Sequence, residues 1–137
     1  MLTVKRLDLA DARILIEGAA EKAREIGVPM CIAITDESGN LIAFERMDGG
    51  KITSINLAID KSFTAVGIQK GTDVLGDVNQ PGMPAHGISS ALGGRMVTVA
   101  GGLPVSFKGQ VVGGVGVSSG SPAQDHEVAE AGVAAFE

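Results

Sequence analysis

Tryptophan and tyrosine are absent from this sequence, and its only aromatic side chains are Phe44, Phe63, Phe107 and Phe136. Any ligand pocket must therefore be walled mainly by aliphatic, methionine, glycine and polar groups. Aromatic platforms for single-stranded nucleic acid are missing. The formal charge of −5 offers no basic face to a phosphate backbone either. Nucleic acid is thereby excluded as a partner. The single cysteine, Cys31, cannot close an internal disulfide. No apolar run approaches the ~20 residues of a membrane-spanning helix, and the first eight residues lack the apolar core and cleavage site of a signal peptide. A cytoplasmic protein with no membrane partner is the expectation.

Apolar residues make up 45% of the 137 positions, which excludes disorder and suits one domain spanning residues 1–137. Of the 20 glycines, many crowd into residues 93–120. Three β-branched runs lie there, at 96–100, 103–107 and 111–117. Lys108-Gly109 separates the last two, at the two-residue position where a hairpin needs positive φ. A three-stranded antiparallel meander is expected. Glycines inside a strand weaken it and leave nothing to pack. Gly113, Gly114 and Gly116 therefore either relieve twist or mark where a helix, a second subunit or a ligand meets bare backbone.

The clearest helix covers residues 8–26, where Leu9, Ala12, Leu15, Ile16, Ala19, Ala20 and Ala23 recur at helical spacing. Asp8 is its N-cap and Gly27 its stop. Two strands follow, at 30–35 and 41–47, about the turn Asp36-Glu37-Ser38-Gly39-Asn40. Alternation puts Ile42, Phe44 and Arg46 on one side of the second. A second helix is expected at 52–69, with Ile52, Ile55, Ile59, Phe63 and Val66 as its stripe and Lys61 turned away from it. Residues 72–92 read as the least regular part, with a loop at 79–87 shaped by two prolines and two glycines, the kind of segment that carries binding residues. Ser121-Pro122-Ala123-Gln124 spells a capping box for the last helix. This order argues for α+β with a mainly antiparallel sheet.

Few motifs carry chemistry. Residues 114–120 resemble a dinucleotide loop but are one residue too long, and too little chain follows for the ribose-binding acid. Asp125-His126-Glu127 cannot converge on a metal, because adjacent helical residues diverge. Cys31 reads as a buried, inert thiol. His86 differs, standing in the proline-glycine loop beside Met83, where it suits either haem-iron ligation or proton transfer. Arg46, Lys61 and Arg95 are the cations suited to a carboxylate-bearing ligand. Asp125 suits either a helix start or acid/base chemistry.

Gly101-Gly102-Leu103-Pro104, Gly109, Gly113-Gly114-Val115-Gly116-Val117-Ser118-Ser119-Gly120, Asp125 and Ala129-Glu130-Ala131-Gly132 together resemble the GlcG/HbpS-type haem-degrading domain. That domain also occurs at the C-terminus of PduO-type adenosyltransferases. The resemblance extends over nearly the whole chain. It implies a profilin-like sandwich with about five antiparallel strands and helices on both faces, and a homo-oligomer. Two functions are set against each other. In the first, haem or a similar tetrapyrrole lies against the glycine-rich strands at Gly113 and Gly114. His86 or Met83 is then at the metal, and Arg46, Lys61 or Arg95 pairs with the carboxylates. In the second, a cofactor-free isomerase, lyase or hydrolase acts on a small carboxylated catabolite. His86 or Asp125 is then the acid/base, and Arg95 and Lys61 are the anchors.

Overall fold

The computed structural model describes residues 1–137. Its elements are α1 (Leu9–Ile26), β1 (Cys31–Asp36), β2 (Leu41–Arg46), α2 (Ser54–Ile68), α3 (Thr72–Val78), a 3₁₀ segment (Ile88–Gly94), β3 (Gly102–Phe107), β4 (Gln110–Ser118) and α4 (Pro122–Phe136). The strands form one antiparallel sheet in the order β2-β1-β4-β3. Helices α1 and α4 cover one face and α2 the other. No helix is long and apolar enough to cross a membrane.

Both long terminal helices begin at reciprocal caps. The Asp8 side chain accepts from the Asp11 N–H, and the Asp11 carboxylate accepts from the Asp8 N–H. Ser121 and Gln124 do the same for α4. Gly27 ends α1 at φ 71°. The hairpin at Lys108-Gly109 has positive φ at both positions, as its turn demands.

β4 divides the molecule. Val115 and Val117 point into the larger core with Leu15, Ala19, Ile32, Ile34 and Val128. Gly114 and Gly116 face α2, and a Cβ on Gly116 would overlap the Ala58 carbonyl of that helix. A Cβ on Gly102 of β3 would likewise strike the Lys61 carbonyl. The bare strands thus let the backbone of α2 lie directly on the sheet.

That approach selects small and polar residues for the buried side of α2: Ser54, Ala58, Lys61, Ser62, Thr64, Ala65 and Val66. Of the expected stripe, Val66 is buried as read and the rest is displaced. Ile55, Ile59 and Phe63 are half-exposed, Ile52 is exposed, and Lys61 is among the most buried residues of the helix. In β2, a register irregularity opposite Ile34 and Thr35 separates Ile42 from Phe44. Ile42 packs with the large core, while Phe44 joins Cys31, Ala33 and Ala58 on the α2 side.

The sheet has four strands, not five. Residues 96–100 do not pair with a strand, because hydroxyls of the neighbouring helices take up their backbone groups. Val97 N–H donates to Thr64 Oγ1 at 3.0 Å, and Thr72 Oγ1 donates to the Val99 carbonyl at 2.7 Å. Thr72 Oγ1 also accepts from the N–H of Gly102, where β3 begins. Side chains here replace a ladder. Within the irregular part expected at 72–92, α3 forms and the 3₁₀ segment is broken by non-helical backbone at Ala91, Leu92 and Gly93, while residues 79–87 stay irregular.

Arg6 fastens the N-terminal segment to the β1–β2 turn through Glu37, at 2.7 and 2.5 Å. Its hydrogen bonds hold the Glu37 carboxyl at about 2, below its ordinary 4.5. A lowered folded-state value contributes stability above pH ~4.5 that fades as pH falls toward 2. Arg6→Ala should therefore flatten the acid limb of urea midpoint against pH in that window. Gly116→Ala should cost roughly 3 kcal/mol or more, since helix backbone blocks the methyl; thermal and urea unfolding would measure it.

Candidate functional site

The most buried charges in the protein are Lys61 and Asp125, at 2% and 3% exposure. Lys61 projects from the sheet side of α2 toward the end of β4. Its Nζ donates to Asp125 Oδ2 and to the Val117 carbonyl, both at 2.9 Å. Asp125 Oδ1 accepts from the Gly120 N–H at 2.9 Å. The aspartate thus closes the β4–α4 connection and neutralises the lysine at once. Both sequence readings of Asp125 are narrowed by this: it holds a helix start, and both its oxygens are engaged.

Beside the pair lies a cavity of about 270 Å³. Lys51, Thr53 and Ser54 from the start of α2 line it with Ser118, Ser119 and Gly120 from the end of β4. Ser118 Oγ donates to Ser54 Oγ at 3.2 Å, and Lys51 N–H donates to Ser119 Oγ at 3.0 Å. Ser118 and Ser119 fall in the glycine-rich stretch that carries the family resemblance, but no motif gave these hydroxyls a role. Their one signal is position, since small polar residues cluster where an outgoing strand and an incoming helix end at the same edge.

The other expected site residues lie elsewhere. Arg46 is exposed at the end of β2, opposite Cys31. Arg95 stacks its guanidinium 3.8 Å from the Phe63 ring centroid and pairs with Asp60 at 2.9 Å. Phe63 in turn lies against Gly39, at the turn end of β2. Leu41 to Arg46 spans roughly 17 Å of extended chain, so the two arginines stand at opposite ends of the strand. Lys61 is buried on another side of α2. The three cations do not converge.

Gly113 and Gly114 meet the protein itself, not open space. A Cβ on Gly113 would strike Leu7 and the Thr35 carbonyl, and one on Gly114 would strike Val66 and Ser62. His86 and Met83 are exposed in the 79–87 loop, and the His86 ring makes no hydrogen bond to the chain. No group of three or more metal-ligating side chains occurs. Cys31 is buried, and desolvation raises its thiol pKa, in keeping with an inert role. His126 is part-buried, with Nε2 3.4 Å from Glu130 and Nδ1 shut away without a partner.

Residues 7–134 match the family model described as haem degrading protein HbpS-like. The chain belongs to the HbpS-like family. It is 35% identical over 133 residues to an uncharacterized 15.0 kDa protein of Citrobacter freundii, covering 97% of this chain and 94% of that one. The crystal structure of PduOC in complex with haem is 36% identical, with a TM-score of 0.91 over 95% of this chain and 94% of that one. A double mutant of Streptomyces reticuli HbpS is 30% identical, with a TM-score of 0.88 over 98% of this chain and 89% of that one.

Removing one partner of the buried pair strands the other charge. Lys61→Met should destabilise by about 3–5 kcal/mol. Adding Asp125→Asn, which keeps an acceptor for the Gly120 N–H, should restore most of that loss. Urea unfolding of the single and double variants would measure the difference.

Proposed function

We propose that this protein binds haem, or a closely similar carboxylate-bearing tetrapyrrole, on the half-open apolar face between β2 and α2. The observation that carries the reading is the displaced stripe of α2. Phe44, Ile55 and Ile59 pack on Cys31, Ala33 and Ala58 yet stay half-exposed. Phe63 extends the same strip under Arg95. A planar macrocycle needs such an apolar bed with a cation at its edge. That a relative's structure holds haem on this fold supports it.

The residues present fit the group. The two propionates of haem are neighbours on one edge of the ring, so Arg46 or Arg95 serves them, not both. His86 and Met83 belong to the loop that leads through the 3₁₀ segment into Arg95, and either offers an axial donor. Bound haem would supply an iron centre with ligand-exchange and redox chemistry. The protein's own contribution is to bury one ring face, pair a carboxylate and fix one axial group. Lys61, Gly113 and Gly114 have no part in this reading, being occupied within the fold. Self-association belongs to the same proposal and is read from the solution mass.

Hemin titration should give a saturable Soret shift. His86→Ala should abolish the ligated spectrum or, if Met83 is the donor, leave it to Met83→Ala to do so. Arg95→Ala should weaken binding about three- to tenfold, the worth of one partly exposed charge contact. Absence of any saturable spectral change would overturn the reading.

A further inference from the structure

We propose that the cavity beside Lys61 and Asp125 is a second, separate site, for a small monocarboxylate anion. The argument counts donors. Ser54 and Ser119 are buried, at 3% and 8% exposure, and each accepts one hydrogen bond while giving none. The Lys61 ammonium has three N–H donors and two protein acceptors, Val117 O and Asp125 Oδ2. Thr53, at the N-cap of α2, makes no capping bond with its side chain. The lining therefore includes one ammonium N–H, from Lys61, and two hydroxyls, from Ser54 and Ser119, that are buried and donate to no group of the chain. Buried donors are ordinarily satisfied, and leaving them unmade is costly.

The acceptor they lack is not supplied by the protein. Asp125, the carboxylate that lines the cavity, takes one bond on each oxygen, from Lys61 and from Gly120, and none from Ser54 or Ser119. With Lys61 neutralised by Asp125, Lys51 is the remaining charge around the cavity, leaving a net charge of +1. The N-terminal end of α2 adds its partial positive charge. A singly charged acceptor matches this count, and a doubly charged one overshoots it.

Size and lining narrow the class further. The volume of about 270 Å³ lies below the ~300–1,000 Å³ typical of sites for drug-sized ligands, so a tetrapyrrole does not enter. Leu57, Val97 and Val99 line the same cavity and supply its apolar contacts. That pairing of donors with aliphatic contacts suits a carboxylate carrying a short alkyl tail better than an inorganic oxyanion. The site lies at the start of α2, apart from Phe63 and Arg95, and does not depend on the haem reading.

The test is amide-resolved NMR of the haem-free full chain, titrated with acetate and propionate at constant ionic strength, with chloride and sulfate as comparators. Saturable shifts centred on Ser54, Ser119 and Gly120 with the carboxylates, larger than those with sulfate, are expected. Ser54→Ala should weaken the carboxylate about three- to tenfold, the worth of one hydrogen bond, with the remaining spectrum unchanged. Thr53→Val, at an exposed position whose side chain makes no hydrogen bond within the chain, is the second variant and should weaken binding without altering stability. Equal shifts with sulfate would overturn the carboxylate assignment. No localised shift with any anion, or full affinity in both variants, would overturn the site.

Discussion

The fold depends on a contact between two backbones. Helix α2 rests on strands that present no side chain at Gly102, Gly114 and Gly116, so its carbonyls at Ala58 and Lys61 come against the sheet itself. Such closeness sets the composition of everything nearby. Large apolar residues cannot occupy the buried side of α2, and small or polar ones take their place. Hydroxyl pairing then does work that apolar bulk does elsewhere, as in the 2.6 Å contact between Thr35 and Ser62. The larger core lies on the other face, where the valines of β4 meet α1 and α4.

Two surfaces follow from this arrangement. Because α2 sits low on β4 and β1, its isoleucines and Phe63 are pushed to the flank, over β2, where nothing else in the chain covers them fully. Because the start of α2 meets the end of β4, their serines gather around a buried ammonium. Each surface is a by-product of the same close approach, and each suits a different kind of ligand. The flank offers apolar area with guanidinium at its ends. The cavity offers donors in a space too small for a macrocycle.

The legibility of these features in the sequence varied with their physical origin. Caps are local, so the boundaries set by Asp8, Gly27, Ser121 and Gln124 could be read from a few residues. The Lys108-Gly109 turn is local for the same reason. Burial of Lys61 is not local. Periodicity weights bulky apolar residues, and it assigned the inside of α2 to Ile55, Ile59 and Phe63. Only the glycines on a strand some fifty residues later in the chain reverse that choice. Residues 96–100 have strand composition, yet Thr64 and Thr72 hold them off the sheet, a competition no propensity registers. Of the site residues, the sequence named Lys61 and Asp125 without revealing that they are partners. Ser54 was marked only by its position at the start of α2.

The Lys61–Asp125 pair joins a helix on one side of the sheet to the first turn of a helix on the other. Separating the layers at that point would expose two charges and break the bond to Val117 in the same movement. Opening of either helix is thereby tied to opening of its counterpart. Amide protons in α2 and early α4 should exchange with solvent as one cooperative unit.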